Sequence, residues 1–380
     1  MLKTFSYFIF SVFFGLGRIR GVRKNRVSML SPHHENFNDS LGCVSQELEK
    51  RGGFEIGYIT TADLNFDRKN IFGSLKNIVK FFVSDAVFLA SSEYVFLNDN
   101  FMPMSQLNFN KKTVVTQLWH AEGAFKKFGL HLNLDEEVRS RTIEGNKRLT
   151  WLVCTSEKIR KIYAEAFGVP ENKVVALGSA RSDRCFEEQD LDSLKKAVFK
   201  DCPECEGKKL ILYAPTFRDD TEDNRRLLES IDINKFESVL GKEYALLIRL
   251  HPQIHDGVKM PEGAFDFTAY PDFNELVKVC DMLITDYSSV CMDFVLVNKP
   301  CIFYAFDLDS FNMGRSFYFD YSDVPGPVVK TFDELMEAIK NATADNRKAE
   351  AFKALHMSAV DGKSTERIVD FVLNKGTGKK

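Results

Sequence analysis

The chain alternates short apolar runs with longer stretches in which apolar residues recur every three or four positions. The short runs are rich in Val, Ile and Leu and do not alternate strictly with polar residues, which is typical of parallel strands buried on both faces. Longer stretches such as 157–167 and 273–280 predict helices. The predicted strands are 26–30, 54–59, 86–90, 113–118, 151–155, 174–177, 210–214, 245–250, 282–285 and 301–305. Strand–helix alternation of this kind predicts a doubly wound α/β fold.

A charged stretch near the middle of the chain predicts a domain boundary. We interpret residues 191–208 as a helix and linker between an N-terminal α/β domain at 26–190 and a C-terminal α/β domain at 209–380, with a cleft between the two domains. Open α/β sheets bind ligands at the carboxyl ends of their strands. The residues that follow each strand are therefore the candidate binding residues.

The N-terminus carries an apolar run of 12 residues, FSYFIFSVFFGL, at positions 5–16. A membrane-spanning helix needs roughly 20 residues, so this run is too short to cross a bilayer. Basic residues follow the run, at Arg18, Arg20, Arg23, Lys24 and Arg26. This pattern favours residues 1–25 as an amphipathic membrane-association segment that lies in the headgroup plane. A signal sequence and a core helix with a basic end remain as alternatives.

Charge is distributed unevenly along the 380 residues. The whole chain has a formal charge of −3, but its first 34 residues hold six basic residues and no acid. The other 346 residues hold 45 basic and 54 acidic residues, a net charge of −9. An acidic body argues against nucleic-acid binding, whereas a basic head favours attachment to an anionic surface. The cysteines lie mainly in apolar runs, which predicts reduced thiols in the cytoplasm.

The strand at 113–118 is followed by the segment 119–124, WHAEGA. A histidine at a strand end can accept a proton near neutral pH, so His120 is a candidate base. We expect a helix to begin after Gly123, where free amides could hold an anion. An anion there would offset the unfavourable placement of Lys126 and Lys127 in the first turn of that helix. The alternative is a packed histidine in an ordinary turn.

The other strand ends carry basic and hydroxyl side chains without a cluster of exposed acids, which predicts a pocket for a phosphorylated ligand such as a nucleotide diphosphate. Each of these strand ends is, by itself, equally consistent with a solvated loop or an ordinary helix cap. The candidate residues are Arg181 after the strand at 174–177, Pro215, Thr216 and Arg218 after 210–214, Arg249, Leu250 and His251 around the end of 245–250, and Ser288, Ser289 and Asp293 after 282–285.

Several common catalytic motifs are absent from the sequence. It contains no GxxxxGK[ST], no GxGxxG and no GxSxG, which argues against a P-loop ATPase, a nicotinamide enzyme and an α/β hydrolase. The pair Cys202-Pro-Glu-Cys205 has metal or redox spacing, but no second pair accompanies it. No carboxylate cluster suited to a metal is apparent, so we expect neither a metal nor a cofactor.

The order of several motifs adds a resemblance to a known family. These motifs are YVFLNDN at 94–100, LWHAEGAFKKFG at 118–129, LYAPTFRDD at 212–220, ITDYSS at 284–289 and FYFDY at 317–321. Together they resemble the CDP-glycerol glycerophosphotransferase family, the teichoic acid primases and polymerases of bacterial cell walls, over residues 26–371. The resemblance implies the GT-B fold, in which two Rossmann-like domains face a cleft. It also implies a peripheral position on the cytoplasmic side of the cell membrane.

The activity implied by the resemblance is transfer of a polyol phosphate, glycerol phosphate above all, with release of CMP. The donor would be CDP-glycerol or CDP-ribitol, and the acceptor an undecaprenyl-diphosphate-linked saccharide. A length of 380 residues is that of the primases and short transferases. Two alternatives remain: a GT-B glycosyltransferase that uses a nucleotide sugar, and a non-catalytic member of a polymer-assembly complex.

The resemblance also implies roles for individual residues. His120 matches the base proposed for the family, and His251 is the second catalytic candidate. Many members read WHGTP at the first motif, where this chain has Glu122; a carboxylate beside an anionic donor is unexplained, and the acceptor hydroxyls are its alternative partner. For the leaving phosphate we expect stabilisation by Arg218, Arg249 and the helix N-terminus after the last motif strand. The donor contacts implied are Ala121, Glu122, Gly123, Ala124, Arg181, Pro215, Thr216, Arg249, Leu250, His251, Ser288, Ser289 and Asp293.

Overall fold

The computed structural model describes residues 2–31, 39–61, 71–218, 220–251, 254, 260–314, 316–343 and 347–376. The chain divides into two compact units. Unit 1 comprises Met1–Ala124, Phe128–Asp183 and Ser358–Lys380, and unit 2 comprises Phe125–Lys127 and Arg184–Met357. Within the described residues each unit contains one six-stranded sheet with parallel pairing, which confirms the predicted α/β class with two parallel-sheet domains.

The strands are short and mostly buried, as expected for parallel sheets covered on both faces. They are β1 (Arg23–Ser31), β2 (Glu55–Thr60), β3 (Ser92–Leu97), β4 (Val114–Gln117), β5 (Trp151–Cys154) and β6 (Val174–Ala176) in unit 1, and β7 (Lys209–Tyr213), β8 (Tyr244–Ile248), β9 (Phe265–Asp266), β10 (Met282–Thr285), β11 (Cys301–Tyr304) and β12 (Val328–Val329) in unit 2.

The helices lie between the strands in sequence, and many begin at an Asp, Ser or Thr cap, such as Asp39 and Thr331. They are α1 (Leu2–Ile19), α2 (Ser40–Arg51), α3 (Ile71–Val79), α4 (Ala86–Ala90), α5 (Glu136–Asn146), α6 (Arg160–Phe167), α7 (Leu191–Asp201), α8 (Thr221–Glu229), α9 (Ile233–Val239), α10 (Phe273–Val279), α11 (Cys291–Leu296), α12 (Leu308–Gly314), α13 (Phe332–Lys340), α14 (Arg347–His356) and α15 (Ser364–Gly376).

The strand order locates the ligand-binding edge of each sheet. Unit 1 has the order β2-β1-β3-β4-β5-β6, so the order reverses between β1 and β3. Unit 2 has the order β12-β11-β10-β7-β8-β9, so it reverses between β7 and β10. In open α/β sheets, ligands bind outside the carboxyl ends of the strands at such reversals. The residues that follow β3 in unit 1 and those that follow β7 and β10 in unit 2 flank these reversals, and those that follow β4 and β8 lie on the neighbouring strands; residues 32–38 after β1 lie outside the described residues.

The predicted strand at 86–90 is wrong. These residues form α4, which continues a π-helical turn at Lys80–Asp85, and the strand is its neighbour β3. A five-residue apolar run fits a buried helix turn as well as a strand, so periodicity alone could not separate the two. The strand β3 lies between β1 and β4 and carries Asn98 and Asp99 to the edge of the sheet.

The predicted domain boundaries also differ from the units. The C-terminal helix α15 belongs to unit 1, because Ile368 and Val372 are buried in the core that α2 and the first sheet share. The Asp183 carboxylate accepts hydrogen bonds from the first amides of α15, at 2.9 Å from Ser364 N and 2.6 Å from Thr365 N. The segment 191–208 is no separate linker, since α7 belongs to unit 2 and contacts α10.

The cysteines differ from the prediction at one place. Cys202 and Cys205 are joined by a disulfide, whereas the composition predicts reduced thiols. Burial raises the pKa of the Cys154 thiol to about 12 and that of the Cys280 thiol to about 12. These thiols therefore behave as small buried hydrophobic groups, as their apolar sequence context predicts.

Candidate functional site

His120 lies at the carboxyl edge of the first sheet, directly after β4, with an exposed side chain. Its Nδ1 is 3.2 Å from the carbonyl oxygen of Asn98 and 3.6 Å from Oδ2 of Asp99, both of which follow β3. A ring nitrogen beside two acceptors carries the proton, so Nδ1–H donates to Asn98 and the lone pair is left on Nε2. This is the tautomer that a general base needs.

The backbone before His120 is held in an unusual conformation. Trp119 has φ 63°, in the left-handed region that bulky residues rarely adopt. Its amide donates to Oε1 of Gln117 at 2.9 Å, and its buried indole packs 4.1 Å from the His120 ring and 5.0 Å from the Phe167 ring, measured between centroids. Strain of this kind persists where the surroundings hold it, and here it turns the chain so that His120 reaches the edge.

The loop after His120 is fixed by side chains of neighbouring elements, and the predicted anion site at Gly123 is wrong. The Gly123 amide donates to Oγ1 of Thr155 at 3.0 Å, so it is not free for a ligand. The Tyr163 hydroxyl donates to the carbonyl oxygens of Ala121 at 3.1 Å and Gly123 at 2.8 Å. Ala124 is fully buried. These hydrogen bonds fix the loop that carries His120, and they use the Gly123 amide that was expected to bind an anion.

The helix that was expected to follow Gly123 does not form. Lys126 instead pairs with Phe317 in an antiparallel bridge, and the Lys127 amide donates to the carbonyl oxygen of Ser316 at 2.9 Å. The chain thus passes into unit 2 at Phe125–Lys127. The expected conflict between two lysines and a helix dipole does not arise, because no helix begins there.

Glu122 is a buried structural anion, so the expectation that it faces acceptor hydroxyls is wrong. Its Oε2 lies 2.5 Å from Nη2 of Arg181, and its Oε1 accepts from Nε of Arg181 at 3.0 Å and from the Ser179 hydroxyl at 3.0 Å. Burial alone would raise the pKa of Glu122, but the charge and hydrogen bonds of Arg181 lower it. Arg181, predicted as a donor contact, is bound edge-on by this carboxylate.

Neutralising Glu122 should therefore destabilise unit 1. We expect Glu122→Gln to lose about 3 kcal/mol of unfolding free energy at neutral pH, because Arg181 would keep its charge without a buried partner. The pKa of Glu122 is lowered from 4.5 by folding, so its contribution is complete at neutral pH and lost as the pH falls through the folded-state pKa. Urea denaturation at pH 7 and below pH 4.5 measures both effects.

A matched control uses a carboxylate at the surface. Glu157 pairs with Arg160 one helical turn away, and its side chain is 65% exposed. Glu157→Gln should change the unfolding free energy by no more than about 0.5 kcal/mol. Equal effects of the two substitutions would contradict the structural role of Glu122.

The predicted residues of unit 2 gather at the ends of β7, β8 and β10, which are neighbours in the sheet. Pro215 and Thr216 are buried directly beyond β7. The Thr216 amide donates to Oδ1 of Asp286 at 2.8 Å, while its Oγ1 has no hydrogen-bond partner among the described residues. A buried hydroxyl without a partner at the reversal of a doubly wound sheet is a candidate ligand contact.

Arg218 is buried among carboxylates. Its Nη2 lies 2.9 Å from Asp286, its Nε lies 2.8 Å from Asp307, and its Nη1 donates to the carbonyl oxygen of Thr216 at 2.6 Å. The guanidinium also packs 5.1 Å from the ring centroid of Tyr287, whose hydroxyl donates to Asp307. These contacts join the ends of β7, β10 and β11. The guanidinium of Arg218 donates its hydrogen bonds to acceptors of the protein. This geometry favours a structural role for Arg218 over the expected contact with a phosphate.

Arg249 and His251 are more accessible. Arg249 is half-buried, and its Nη1 donates to the carbonyl oxygens of Phe267 at 2.9 Å and Tyr270 at 2.7 Å. His251 is exposed, with its ring 4.7 Å from the ring of Phe217. Partial desolvation and the Lys126 charge lower the pKa of His251, which favours the neutral imidazole at neutral pH. Leu250 is buried behind these two residues.

Of the three residues predicted as donor contacts after β10, two lie at the edge of the sheet and one is buried. Ser288 and Ser289 are partly exposed beyond β10, and the Ser288 hydroxyl accepts from the Val290 amide at 3.3 Å. The short helix α11 follows, as predicted. Asp293, expected to contact the donor, is only 1% exposed and lies 3.9 Å from the Cys185 sulfur. The structure therefore places the two serines, but not Asp293, at the edge.

The sequence did not predict a role for some residues at the carboxyl edges of the two sheets. Asn98 and Asp99 lie in the quoted motif at 94–100, but that motif was not recognised as the end of a strand. Asp286 and Asp307 were not assigned roles, because their partner Arg218 is 68 and 89 residues away in sequence. The position of Asp286 directly after the predicted strand 282–285, and that of Asp99 two residues after the apolar run at 94–97, could have signalled these two residues.

The described residues include neither a membrane-spanning helix nor a metal-binding cluster of side chains. No described helix is long and apolar enough to cross a bilayer. In the same part of the chain, no group of three or more His, Cys, Asp or Glu side chains is arranged to hold a metal ion.

Comparison with known proteins identifies close relatives of the chain. It is 33% identical over 374 residues to the teichoic acid poly(ribitol-phosphate) polymerase of Bacillus spizizenii, covering 97% of this chain but 58% of that protein. It is 30% identical over 385 residues to the teichoic acid ribitol-phosphate primase of the same organism, covering 98% of both chains. The teichoic acid glycerol-phosphate primase of Bacillus subtilis is 32% identical over 305 residues, 76% of each chain.

Solved structures agree with the fold. A variant of the wall teichoic acid polymerase TagF matches with a TM-score of 0.79 and 21% identity, covering 99% of this chain and 95% of that chain. The UDP-GlcNAc 2-epimerase of Neisseria meningitidis matches with a TM-score of 0.60 and 14% identity over 92% of this chain and 100% of that chain. The profile of the CDP-glycerol:poly(glycerophosphate) glycerophosphotransferase family matches residues 12–374. With this match, the chain belongs to that family of transferases.

Proposed function

We propose that the chain transfers a polyol phosphate, glycerol phosphate above all, from CDP-glycerol to a lipid-linked saccharide in teichoic acid or capsule-type polymer synthesis, and releases CMP. The observation that carries the proposal is His120, whose Nδ1 is held by Asn98 and Asp99 while the ring stays exposed at the carboxyl edge of its sheet. Family membership supports a donor of the CDP-polyol class. A form of TagF has been soaked with CDPG, which agrees with this class.

The reaction needs a base and charge neutralisation rather than a covalent intermediate. An acceptor hydroxyl attacks the phosphorus that bears the polyol, and its proton moves to Nε2 of His120. The new P–O bond joins acceptor and polyol phosphate, while the P–O bond to the CMP phosphate breaks and its electron pair leaves with CMP. Base catalysis of this kind contributes typically 10²–10⁴-fold.

Unit 2 supplies the donor site in this proposal. The Thr216 hydroxyl and the Ser288 and Ser289 hydroxyls can donate to phosphate oxygens, and Arg249 adds a positive charge at the end of β8. His251 is the second catalytic candidate, a neutral imidazole whose ring nitrogens can donate to or accept from the leaving group. Arg218 acts as a positioning residue, because its hydrogen bonds hold the strand ends that present these groups.

A product analysis separates this proposal from sugar transfer. We expect incubation with CDP-glycerol and a lipid-linked saccharide to release CMP, whereas a glycosyltransferase would release a nucleoside diphosphate from a nucleotide sugar. Parallel incubation with CDP-ribitol tests the polyol, since the relatives include both ribitol-phosphate and glycerol-phosphate enzymes. A chain that binds either donor without turnover would instead be a non-catalytic assembly component.

Asp99 should act through His120 as a positioning residue. We expect Asp99→Asn to lower kcat roughly tenfold, because the carboxylate charge that stabilises the protonated ring is removed while Asn98 still holds Nδ1. The KM for CDP-glycerol should not change. Steady-state kinetics of CMP release measure both quantities, and an equal loss in a variant that already lacks His120 would contradict the positioning role.

We also propose that α1 holds the protein at the cytoplasmic face of the membrane. Phe10 and Phe14 are buried, so α1 is anchored to unit 1 by one face. Its other face exposes Phe5, Phe8 and Leu16, with exposed fractions between 54% and 60%. A basic cluster follows at the end of the helix. An apolar stripe beside basic residues suits insertion into an anionic headgroup layer.

Removing the stripe should weaken membrane binding without unfolding the protein. We expect the double substitution Phe8→Asp and Leu16→Asp to lower vesicle binding by at least about a hundredfold, because the two side chains together lose about 3 kcal/mol or more of apolar burial. Val239→Asp, at an exposed position of α9 in unit 2, is the matched control. Sedimentation with anionic vesicles measures the partition, and unchanged binding of the double variant would contradict the anchor.

A further inference from the structure

An apolar pocket in unit 1 is lined in part by Asn100, the residue after Asp99, and has no role in the function described so far. Its walls are Phe10 of α1, Phe81 and Phe82 of the π-helical turn, and Phe101 and Met102 after β3. The rings of Phe10 and Phe101 pack edge to face with centroids 5.6 Å apart, and those of Phe10 and Phe81 are tilted with centroids 4.9 Å apart. The cavity volume is about 230 Å³. For comparison, an apolar cavity of about 150 Å³ holds benzene.

The position of the pocket connects two features of the proposed function. On one side it is lined by Ser6, Tyr7 and Phe10, which belong to the same helix whose opposite face exposes the apolar stripe. On another side it is lined by Asn100, whose amide donates to Oδ1 of Asp99 at 2.6 Å. The other carboxylate oxygen of Asp99 is the one beside His120. The pocket therefore extends from the proposed membrane helix to the residue next to Asp99, which contacts the proposed base.

We infer that this pocket binds the isoprenoid segment nearest the diphosphate of the lipid-linked acceptor; the inference rests on the proposed function. A branched hydrocarbon is a suitable ligand for a pocket lined by aromatic rings, because its binding removes apolar surface of both the hydrocarbon and the rings from water. Drawing the first isoprene units out of the bilayer brings the attached saccharide to the edge that carries His120. The competing occupant is an acyl chain of a bilayer lipid. Such a lipid carries no saccharide hydroxyl that could react at the edge with His120.

The binding test does not depend on turnover. An isoprenyl diphosphate with a photoreactive diazirine on its first isoprene units is irradiated with the full chain, and the labelled peptides are identified. We expect labels at 6–10, 81–82 and 100–103, which line the pocket. Competition by unlabelled isoprenyl diphosphate should abolish labelling, whereas an excess of phospholipid should not. Labelling elsewhere, or equal competition by phospholipid, overturns the inference.

Matched substitutions connect the label to the pocket. Ser6→Phe places a ring at the pocket wall, whereas Ser11→Phe adds the same ring to the same helix at a residue outside the wall. We expect Ser6→Phe to reduce pocket labelling about tenfold through overpacking, and Ser11→Phe to leave it unchanged. Vesicle binding of the two variants should be equal, since both add the same apolar surface.

Kinetics with two acceptors complete the test. With an acceptor on a long isoprenoid chain, Ser6→Phe should raise the KM about tenfold, and with the same saccharide on a short water-soluble chain it should have no effect. Equal effects on both acceptors overturn the inference. If the pocket is labelled but the protein releases no CMP with either acceptor, the pocket binds isoprenoid and the proposed transfer is wrong. Failure of the pocket inference can therefore be distinguished from failure of the proposed function.

Discussion

Replacement of His120 by alanine should lower kcat for CMP release by a factor of about 10²–10⁴, with little change in the KM for CDP-glycerol. The expectation follows from the geometry, since Nδ1 is held by Asn98 and the exposed ring presents Nε2 to the acceptor hydroxyl. A base acts only in the transition state, so its loss appears in kcat rather than in donor binding. Steady-state kinetics with saturating acceptor measure the two constants separately.

The control for this substitution is His131→Ala in the same unit. His131 lies 4.0 Å from Glu165 and has no role in the proposed reaction, so its loss should leave kcat unchanged. Unaltered turnover in His120→Ala would show that the proton goes elsewhere, and His251 would then be the next candidate.

Replacement of Arg218 by methionine should destabilise unit 2 by about 3–5 kcal/mol. The side chain of Arg218 is 7% exposed and that of Asp286 is 2% exposed, so methionine would leave buried carboxylates without their counter-charge. Hydrogen exchange of the β7 and β10 amides, together with the urea midpoint, measures the loss where it is expected. The pair is buried, so raising the salt concentration should not reproduce the effect.

A surface arginine in the same unit provides the control. Arg225 of α8 pairs with Glu222 and Glu229, and its side chain is 51% exposed. Arg225→Met should change stability by less than about 1 kcal/mol. If Arg218→Met unfolded at the same urea midpoint but raised the KM for CDP-glycerol, Arg218 would be a phosphate ligand, as its sequence position alone predicts, and not a positioning residue.

The parts of the fold that depend on local pattern were predictable. The strand predicted at 282–285 coincides with β10, and most others differ from the structure by one to three residues at an end. The order of the strands in each sheet was not predictable, because it depends on pairing between distant segments. The two-residue strands β9 and β12 were too short to produce an apolar run.

The position of a site residue was predictable from the strand that precedes it, whereas its role was not predictable where a distant partner decides that role. His120 follows an apolar run, so its place at a strand end could be predicted from the sequence. Arg181 and Arg218 carry the same sequence signal of a basic residue after a strand. Their partners Glu122 and Asp307 are 59 and 89 residues away, so nothing local showed that carboxylates hold them. A sequence can predict that charged side chains lie at the carboxyl edge of a sheet. Only the tertiary structure shows which of these side chains are bound by other residues and which can contact a ligand.

Polyol-phosphate transfer is tested most directly by measuring CMP and acceptor-bound polyol phosphate in the same reaction. The full chain is incubated with a lipid-linked saccharide and either CDP-glycerol or CDP-ribitol, and both products are quantified. We predict equal molar amounts of the two products with at least one donor. Neither product with either donor, or CMP release without any polyol phosphate on the acceptor, would contradict the proposed transfer.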